Sequence, residues 1–482
     1  MGHTALILGD QLSHDNPALE GADRVLIVES RVALGRLRLH RQRRHLVLSA
    51  MRHFAAELRE RSDVEVIERR GVERMGAVIA EHPDVVCAEP NSIPSRRALE
   101  RSGRVRFVGS TQFLTAPAAF AAWAEGRRRL VMEDFYREQR RRFDLLIADG
   151  GKPEGGKWNL DAENRKPGDA SLSAPEPWLP EEDEIDAEVR ADLDAMGLPE
   201  TGHDGPRIWP ATRAEALRTL EDFVEHRLAG FGPWQDAMVT GERWLYHSRL
   251  SSSLNLWLID PLEVCRAVQA AFERGGVPLQ SAEGFIRQVI GWREYVWGMY
   301  WLRGTDWRTV NALGAERPLP EAFWTGETDA ECLRSTLADV HDTAYAHHIQ
   351  RLMILGNLML TLGVRPWEAV EWFQASFIDG AEWVMAPNAA GMATFADGGE
   401  MMTKPYAGGG NYVNKMSTYC GDCAHEPRSC PVTALYWDFM ARNAEAFEGN
   451  RRMRIPLTGL RRMDQARLAA LREQATAWAD AL

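Results

Sequence analysis

The spacing of apolar residues constrains this chain most, because its period changes once along the length. Early on, apolar residues fall in short runs at 4–8, 24–29, 63–68, 84–88 and 105–108. Runs this short, bounded by turn residues and separated by helical patterns such as 45–61, read as buried parallel strands. Strands alternating with helices predict a doubly wound α/β domain over residues 1–130. The first run stops at Gly9-Asp10-Gln11. In an open α/β sheet a ligand lies beyond the strand C-termini, here near Asp10 and Gln11. Asp10 suits a turn or helix cap equally well. No G-x-G-x-x-G follows the first strand, which argues against a standard dinucleotide site there.

Residues 131–206 change character. Gly150, Gly151, Gly155 and Gly156, several prolines and the acidic run 181–184 read as a long interdomain connection. Lys157-Trp158-Asn159 and Asn164-Arg165-Lys166 are unusual for a mere linker and suggest a segment ordered on a domain surface. Over 207–482 the helical period dominates. A helix starts at a Thr212 cap and buries Leu217, Leu220 and Phe223. Further helices fit 261–274, 281–301, 330–338, 341–362, 366–376 and 431–445, which predicts a large all-α domain.

The composition, 45% hydrophobic over 482 residues, supports two or three domains with ample core. The N-terminus has no basic region leading into a long apolar one, and no run approaches membrane-spanning length. The cysteines are few and unevenly spaced, as in a reducing cytoplasm. The formal charge of −12 argues against nonspecific coating of nucleic acid. Arginines nonetheless cluster at 36–44 and 127–142, as solvated helix faces or as a phosphate-facing stripe. Most of the 17 tryptophans lie after residue 230. Such density fits core filling, stacking sites or electron hopping.

Three of the six cysteines stand close together as C-x2-C-x6-C-P: Cys420, Cys423 and Cys430. Two thiolates two residues apart can grip one metal corner, and Gly421 permits the tight backbone between them. The fourth ligand comes from Cys87, Cys265 or Cys332, or from His425 in a zinc site. The stretch 246–255 is rich in hydroxyls, and Ser248, Ser251 and Ser252 could cradle a diphosphate or simply cap a helix. Gln288, Trp292, Arg293 and Glu294 read mainly as a structural ion pair in a tryptophan-rich core. In 345–357, His347, His348, Arg351 and Asn357 spread around a helix, so not all can face solvent. Adjacent histidines with an arginine three residues on favour a site. If buried, Arg351 needs an acid, and Asp379 is a candidate.

Several long motifs go further. They are 6–12 (Leu-Ile-Leu-Gly-Asp-Gln-Leu), 132–136 (Met-Glu-Asp-Phe-Tyr), 156–159 (Gly-Lys-Trp-Asn), 161–167 (Asp-Ala-Glu-Asn-Arg-Lys-Pro) and 347–353 (His-His-Ile-Gln-Arg-Leu-Met). The cysteine block running into 435–438 completes the set. In these the chain resembles the iron–sulfur branch of bacterial photolyases and cryptochromes, over nearly its whole length. The resemblance implies the photolyase/cryptochrome architecture, an antenna domain joined to a helical flavin domain. It implies flavin adenine dinucleotide (FAD), with Ser248, Leu250, Ser251 and Ser252 at its phosphates and Arg351 and Asp379 flanking its ring. It implies a [4Fe–4S] cluster on Cys332, Cys420, Cys423 and Cys430. It also implies a 6,7-dimethyl-8-ribityllumazine antenna touching Asp10 and Gln11. Trp372 and Trp324 match tryptophans that relay an electron, and Tyr412 joins them near the cluster.

The implied activity is light-driven repair of (6-4) pyrimidine photoproducts in UV-damaged DNA by a cytoplasmic monomer. A base flipped from the duplex would receive an electron, with His348, or next His347, as the proton donor. Two departures stand out. Met385 occupies a position beside the flavin where a carboxylate is expected, and methionine accepts hydrogen bonds only weakly. The loop 424–429 is short for the family. The alternatives are a blue-light photoreceptor without repair activity and a flavin-free cluster protein resembling the helical domain of primase large subunits.

Overall fold

The computed structural model describes residues 2–61 and 63–482. Five parallel strands form one sheet: β1 His3–Ile7, β2 Ala22–Ser30, β3 Glu65–Val72, β4 Val85–Ala88 and β5 Val105–Val108. Their order is β3-β2-β1-β4-β5. Ala5 pairs with Val25 on one side and with Val86 on the other. Side chains alternate between two buried faces. Ala5, Ile7, Val25 and Ile27 pack into one core, while Leu6, Leu26, Val28 and Cys87 pack into another. Burial on both faces is why these strands read as continuous apolar runs. The chain reverses direction across the sheet between β1 and β4, so a crevice opens at their C-terminal ends.

The segment after the sheet is ordered. The helix Met132–Phe143 packs on the π turn Arg287–Arg293, and Glu184–Met196 packs on the helix Arg41–Arg61. Between them, Lys166 N donates to Pro233 O at 3.0 Å and Asn164 Nδ2 to Gln280 O at 2.9 Å. The rest of the chain is helical. Thr212 caps the helix Arg213–Asp222 in a box with Glu215. Leu220 and Phe223 are buried, whereas Leu217 is only half-buried and Ala216 fills the core position beside it. Among the described residues no helix is long and apolar enough to cross a membrane.

The helix expected over 341–362 is two helices. Glu331–Thr343 ends at Ala344, whose φ is 55°, and the chain restarts at His348 with His347 extended as its N-cap. Tertiary contacts replace the missing helical bonds: Trp209 Nε1 donates to Thr343 O at 3.1 Å and Ile378 N to Ala344 O at 2.8 Å. Wide π turns also interrupt the runs at Phe223–Arg227, Arg287–Arg293, Arg351–Gly356 and Ala386–Ala393. Each inserted residue re-aims the side chains that follow, and such turns gather at functional sites.

Candidate functional site

The break at Ala344 turns the adjacent histidines in different directions. His347 is 1% exposed, and its ring stacks on His247 at 4.5 Å with the planes 8° apart. Among the described residues neither His347 nitrogen has a partner, nor has His247 Nε2. Burial, reinforced by neighbouring positive charge, pushes both pKa values well below the usual histidine range. These rings are therefore neutral at pH 7. The His348 side chain is 48% exposed, and its Nε2 lies 3.3 Å from Asp236 Oδ1. Asp236 also acts electrostatically on Arg165 and Tyr412, so both lie in the neighbourhood of the partly exposed mouth at His348. Burial, with Asp236 adding to it, raises the half-buried Tyr412 to about 12.

One turn on, Arg351 Nη1 donates to Asp379 Oδ1 at 2.8 Å, and its Nε donates to Ala346 O at 2.6 Å. The guanidinium lies 4.2 Å over the Phe377 ring. Asn255 Nδ2 donates to Asp379 O at 3.1 Å, which ties the serine segment to the ion pair. That segment is strained. Leu245, Arg249 and Trp257 have φ of 40°, 61° and 62°, conformations that non-glycine residues hold only when the surroundings enforce them. Arg249 enforces its own. It is buried between Trp209 and Trp244, at 4.8 and 4.4 Å, and donates to Trp178 O and Ile208 O. Ser252 and Ser253, in the short helix Ser251–Asn255, bury hydroxyls that have no partner among the described residues. Leu250 is buried, Ser251 half-buried, and Ser248 Oγ accepts from Leu250 N at 3.4 Å.

Met385 is buried in the large core cluster together with Trp383 and Ile354. Trp372 is fully buried, and its Nε1 donates to Phe323 O at 3.1 Å, next to half-buried Trp324. On its other side Trp372 meets Phe377 edge-on at 5.7 Å, the ring beneath Arg351. An aromatic line thus runs from Phe323, the neighbour of Trp324, through Trp372 to the Phe377 ring beneath Arg351. Arg293 and Glu294 are a buried pair at 3.0 Å, and Glu294 accepts from Thr115 N, a structural role.

Asp10 lies at the crevice of the sheet and lines a cavity of about 170 Å³ with Arg43, Asn91, Gln374 and Trp383. Asn91 Nδ2 donates to Asp10 Oδ2 at 3.0 Å, while burial raises the Asp10 pKa. Gln11 does not line this cavity. Its amide instead donates to Ala88 O and Glu89 O, stitching β1 to the end of β4. Burial lowers Arg43 to about 10, with the charges of Asp379 and Asp10 opposing that shift. Arg43 thus lines the cavity and also feels the carboxylate that pairs with Arg351.

Cys332, Cys420, Cys423 and Cys430 line one small cavity of about 20 Å³. Cys87 lies in the sheet and Cys265 in a helix core, both away from it. Among the described residues, only His53, Asp183 and Asp186 form a group of three ligand atoms within 4.8 Å of one another. A tetrahedral zinc with Zn–S of ~2.3 Å draws its sulfurs to about 3.8 Å, whereas no three of these cysteine sulfurs lie within 4.8 Å of one another. His425 borders the cavity, but its Nε2 is 2.9 Å from Asp329 Oδ2. Gly410 is required here, because a Cβ would sit 2.5 Å from Cys430 Sγ.

The expected phosphate stripe is only partly exposed. Arg41, Arg44 and Arg140 are buried on the protein's own oxygens, Arg44 Nη2 on Pro199 O at 2.6 Å and Arg140 Nη1 on Trp158 O at 3.1 Å. A charge run does not reveal which members its own carbonyls will claim. His247 and Ser253 sat unmarked inside the 246–255 stretch. Nothing in the sequence pointed to Asp236.

This architecture is that of photolyases and cryptochromes. A bacterial class III photolyase from Agrobacterium tumefaciens superposes with a TM-score of 0.61 at 15% identity, covering 100% of this chain and 98% of that one. A Synechocystis cryptochrome superposes with a TM-score of 0.55 at 15% identity, over 81% and 82% of the two chains. The family model of deoxyribodipyrimidine photo-lyase-related proteins matches residues 5–209. A (6-4) photolyase of Agrobacterium fabrum is 40% identical over 99% of each chain. The chain belongs to this photolyase family.

Proposed function

We propose that this protein repairs (6-4) pyrimidine photoproducts in DNA under light. The observation that carries this reading is the end-to-end 40% identity to a (6-4) photolyase. The buried, unpartnered hydroxyls of Ser252 and Ser253 beside the Arg351–Asp379 pair fit the diphosphate and ring of FAD. Ser248, Leu250 and Ser251 complete that wall, and Met385 belongs beside the ring. When bound, reduced FAD supplies the photoexcited electron that opens the lesion and is then returned to it.

The protein's own side chains do the rest. His348 holds the proton for the lesion at the mouth, because Asp236 orients its ring and the mouth is open to a flipped base. His347 is neutral and enclosed, and its ring stacks on His247 behind His348. Trp372 and Trp324 provide a route for reduction from the surface, and Tyr412 joins that relay from the side of the cysteine block.

The four cysteines fit a [4Fe–4S] cluster. Thiolates converging in an apolar cavity need a cationic centre, and their spacing suits one larger than a single ion. Asp10, Arg43 and Trp383 line the cavity suited to a ribityllumazine antenna.

The test is an oligonucleotide carrying one (6-4) lesion, incubated with reduced protein in light and in darkness, with the bases quantified by chromatography. Light-dependent restoration is expected. No restoration by protein carrying reduced flavin would overturn the reading in favour of a photoreceptor.

A further inference from the structure

Four arginines that the chemistry above does not use converge on a single groove. Arg97 sits in the helix Ile93–Glu100, and Arg101 is its C-cap, so their spacing sets both on one face. Arg36 comes from the loop before the helix Arg41–Arg61, and Arg308 ends the turn Gly304–Arg308. Together with the Trp367 ring and Glu382 they border a groove of about 380 Å³. It shares Arg36 and Glu382 with the cavity at the strand ends, and neither His348 nor Asp236 lines it.

The charges in the groove are unbalanced. Among the described residues Glu382 is the only carboxylate on its walls, and it is already engaged. It accepts from Tyr300 Oη at 3.1 Å and from Arg308 Nη2 at 2.9 Å, with Arg36 Nη1 3.6 Å away. Arg97 and Arg101 have no ion pair or side-chain hydrogen bond among the described residues. Their neighbour Arg96, by contrast, is held by Glu89 at 3.1 Å and Glu100 at 2.9 Å. The helix dipole accounts for basic residues at the end of Ile93–Glu100. It does not account for two more brought opposite them from distant parts of an acidic protein.

The walls are also stiff. Arg308 lies 4.6 Å over Trp367, whose Nε1 donates to Glu371 Oε1 at 3.0 Å. Tyr300 Oη accepts from Ile93 N at 2.9 Å, which fixes the helix carrying Arg97 against the opposite wall. Guanidinium forks pre-set around a concavity match the paired oxygens of phosphate or carboxylate; four positive charges against one engaged carboxylate favour the more highly charged phosphate, and the volume falls in the range of small-ligand sites.

We propose that this groove is a phosphate-binding site that takes two or more phosphate groups of one ligand. The phosphates belong either to a soluble nucleotide or to the DNA backbone. Flavin-loaded wild type and an Arg97→Gln/Arg101→Gln double variant are titrated by calorimetry with inorganic tripolyphosphate, and in a second arm with undamaged duplex at several salt concentrations. Saturable tripolyphosphate binding, weakened about tenfold or more in the variant at unchanged melting temperature and flavin absorbance, assigns the site to a small ligand. A loss confined to duplex, with a salt dependence shallower by about two charges, assigns it to the backbone. Equal binding of both probes by the two proteins overturns the proposal.

Discussion

His347 and His348 are neighbours in sequence, yet one is stacked in the interior and the other stands at the mouth with Asp236. Only the second can reach a base and exchange its proton with solvent. Replacing His348 by alanine should therefore cut repair by about 10²-fold or more while flavin photoreduction proceeds normally. Retained repair in the lesion assay would remove His348 from the mechanism. At the cysteine cavity the sensitive residue is a glycine. An alanine methyl at position 410 would press on Cys430 Sγ and lie 2.4 Å from Pro427 O, a backbone atom that cannot swing aside. Gly410→Ala should lower iron content per chain, as should Cys332→Ser. Full iron in either variant, by colorimetric assay, would contradict the assignment.

Among the elements, the helix beginning at His348 connects the two sites. Gln350 Oε1 accepts from His347 N at 3.0 Å, and its Nε2 donates to Tyr419 Oη at 2.8 Å, one residue before Cys420. Gln350 is 2% exposed, so water cannot replace either bond. Gln350→Leu leaves two buried polar groups unsatisfied and should cost on the order of 2 kcal/mol. A lowered melting temperature together with faster iron loss to a chelator is the expected result; an unchanged rate of loss would show that the cysteine block holds its shape without this helix. The π turn that follows at Arg351–Gly356 explains why residues expected to spread around one regular helix do not. The apolar spacing there is compatible with either winding. Packing against Ala386–Ala393 and Glu331–Thr343 selects the wider one.

For the whole molecule, His40 joins the sheet region to the helices. It is fully buried, its Nε2 lies 2.9 Å from His341 O, and its Nδ1 accepts from Gln42 N at 3.1 Å. With one nitrogen donating and the other accepting, only the neutral ring satisfies the site. Burial accordingly lowers its pKa to about 4. The unfolded chain takes up this proton near pH 6.5 and the folded chain only near 4. Stability from His40 is thus complete above pH 6.5 and is lost as pH falls through that window, by about 3 kcal/mol at its foot. His247 and His347 act in the same direction. Melting temperature should fall steeply between pH 6.5 and 4, and His40→Gln should flatten that fall. An unaltered slope would mean that other groups govern acid unfolding.

The sequence by itself determined the element types and their order, because apolar period and turn chemistry are local properties. It located the parallel sheet, the Thr212 cap and the crevice at Asp10, and its long motifs led to the family. It left most polar pairings undecided, although its motifs already implied Asp379 for Arg351 and Cys332 for Cys420, Cys423 and Cys430. That His247 lies on His347, that Asp236 meets His348, and that Gln11 turns into the sheet depend on contacts between residues far apart in the chain. The same holds for the arginines: equal in sequence, they divide into those claimed by buried carbonyls and those left facing a groove. Burial and partner geometry made these choices, and neither exists until the helices pack.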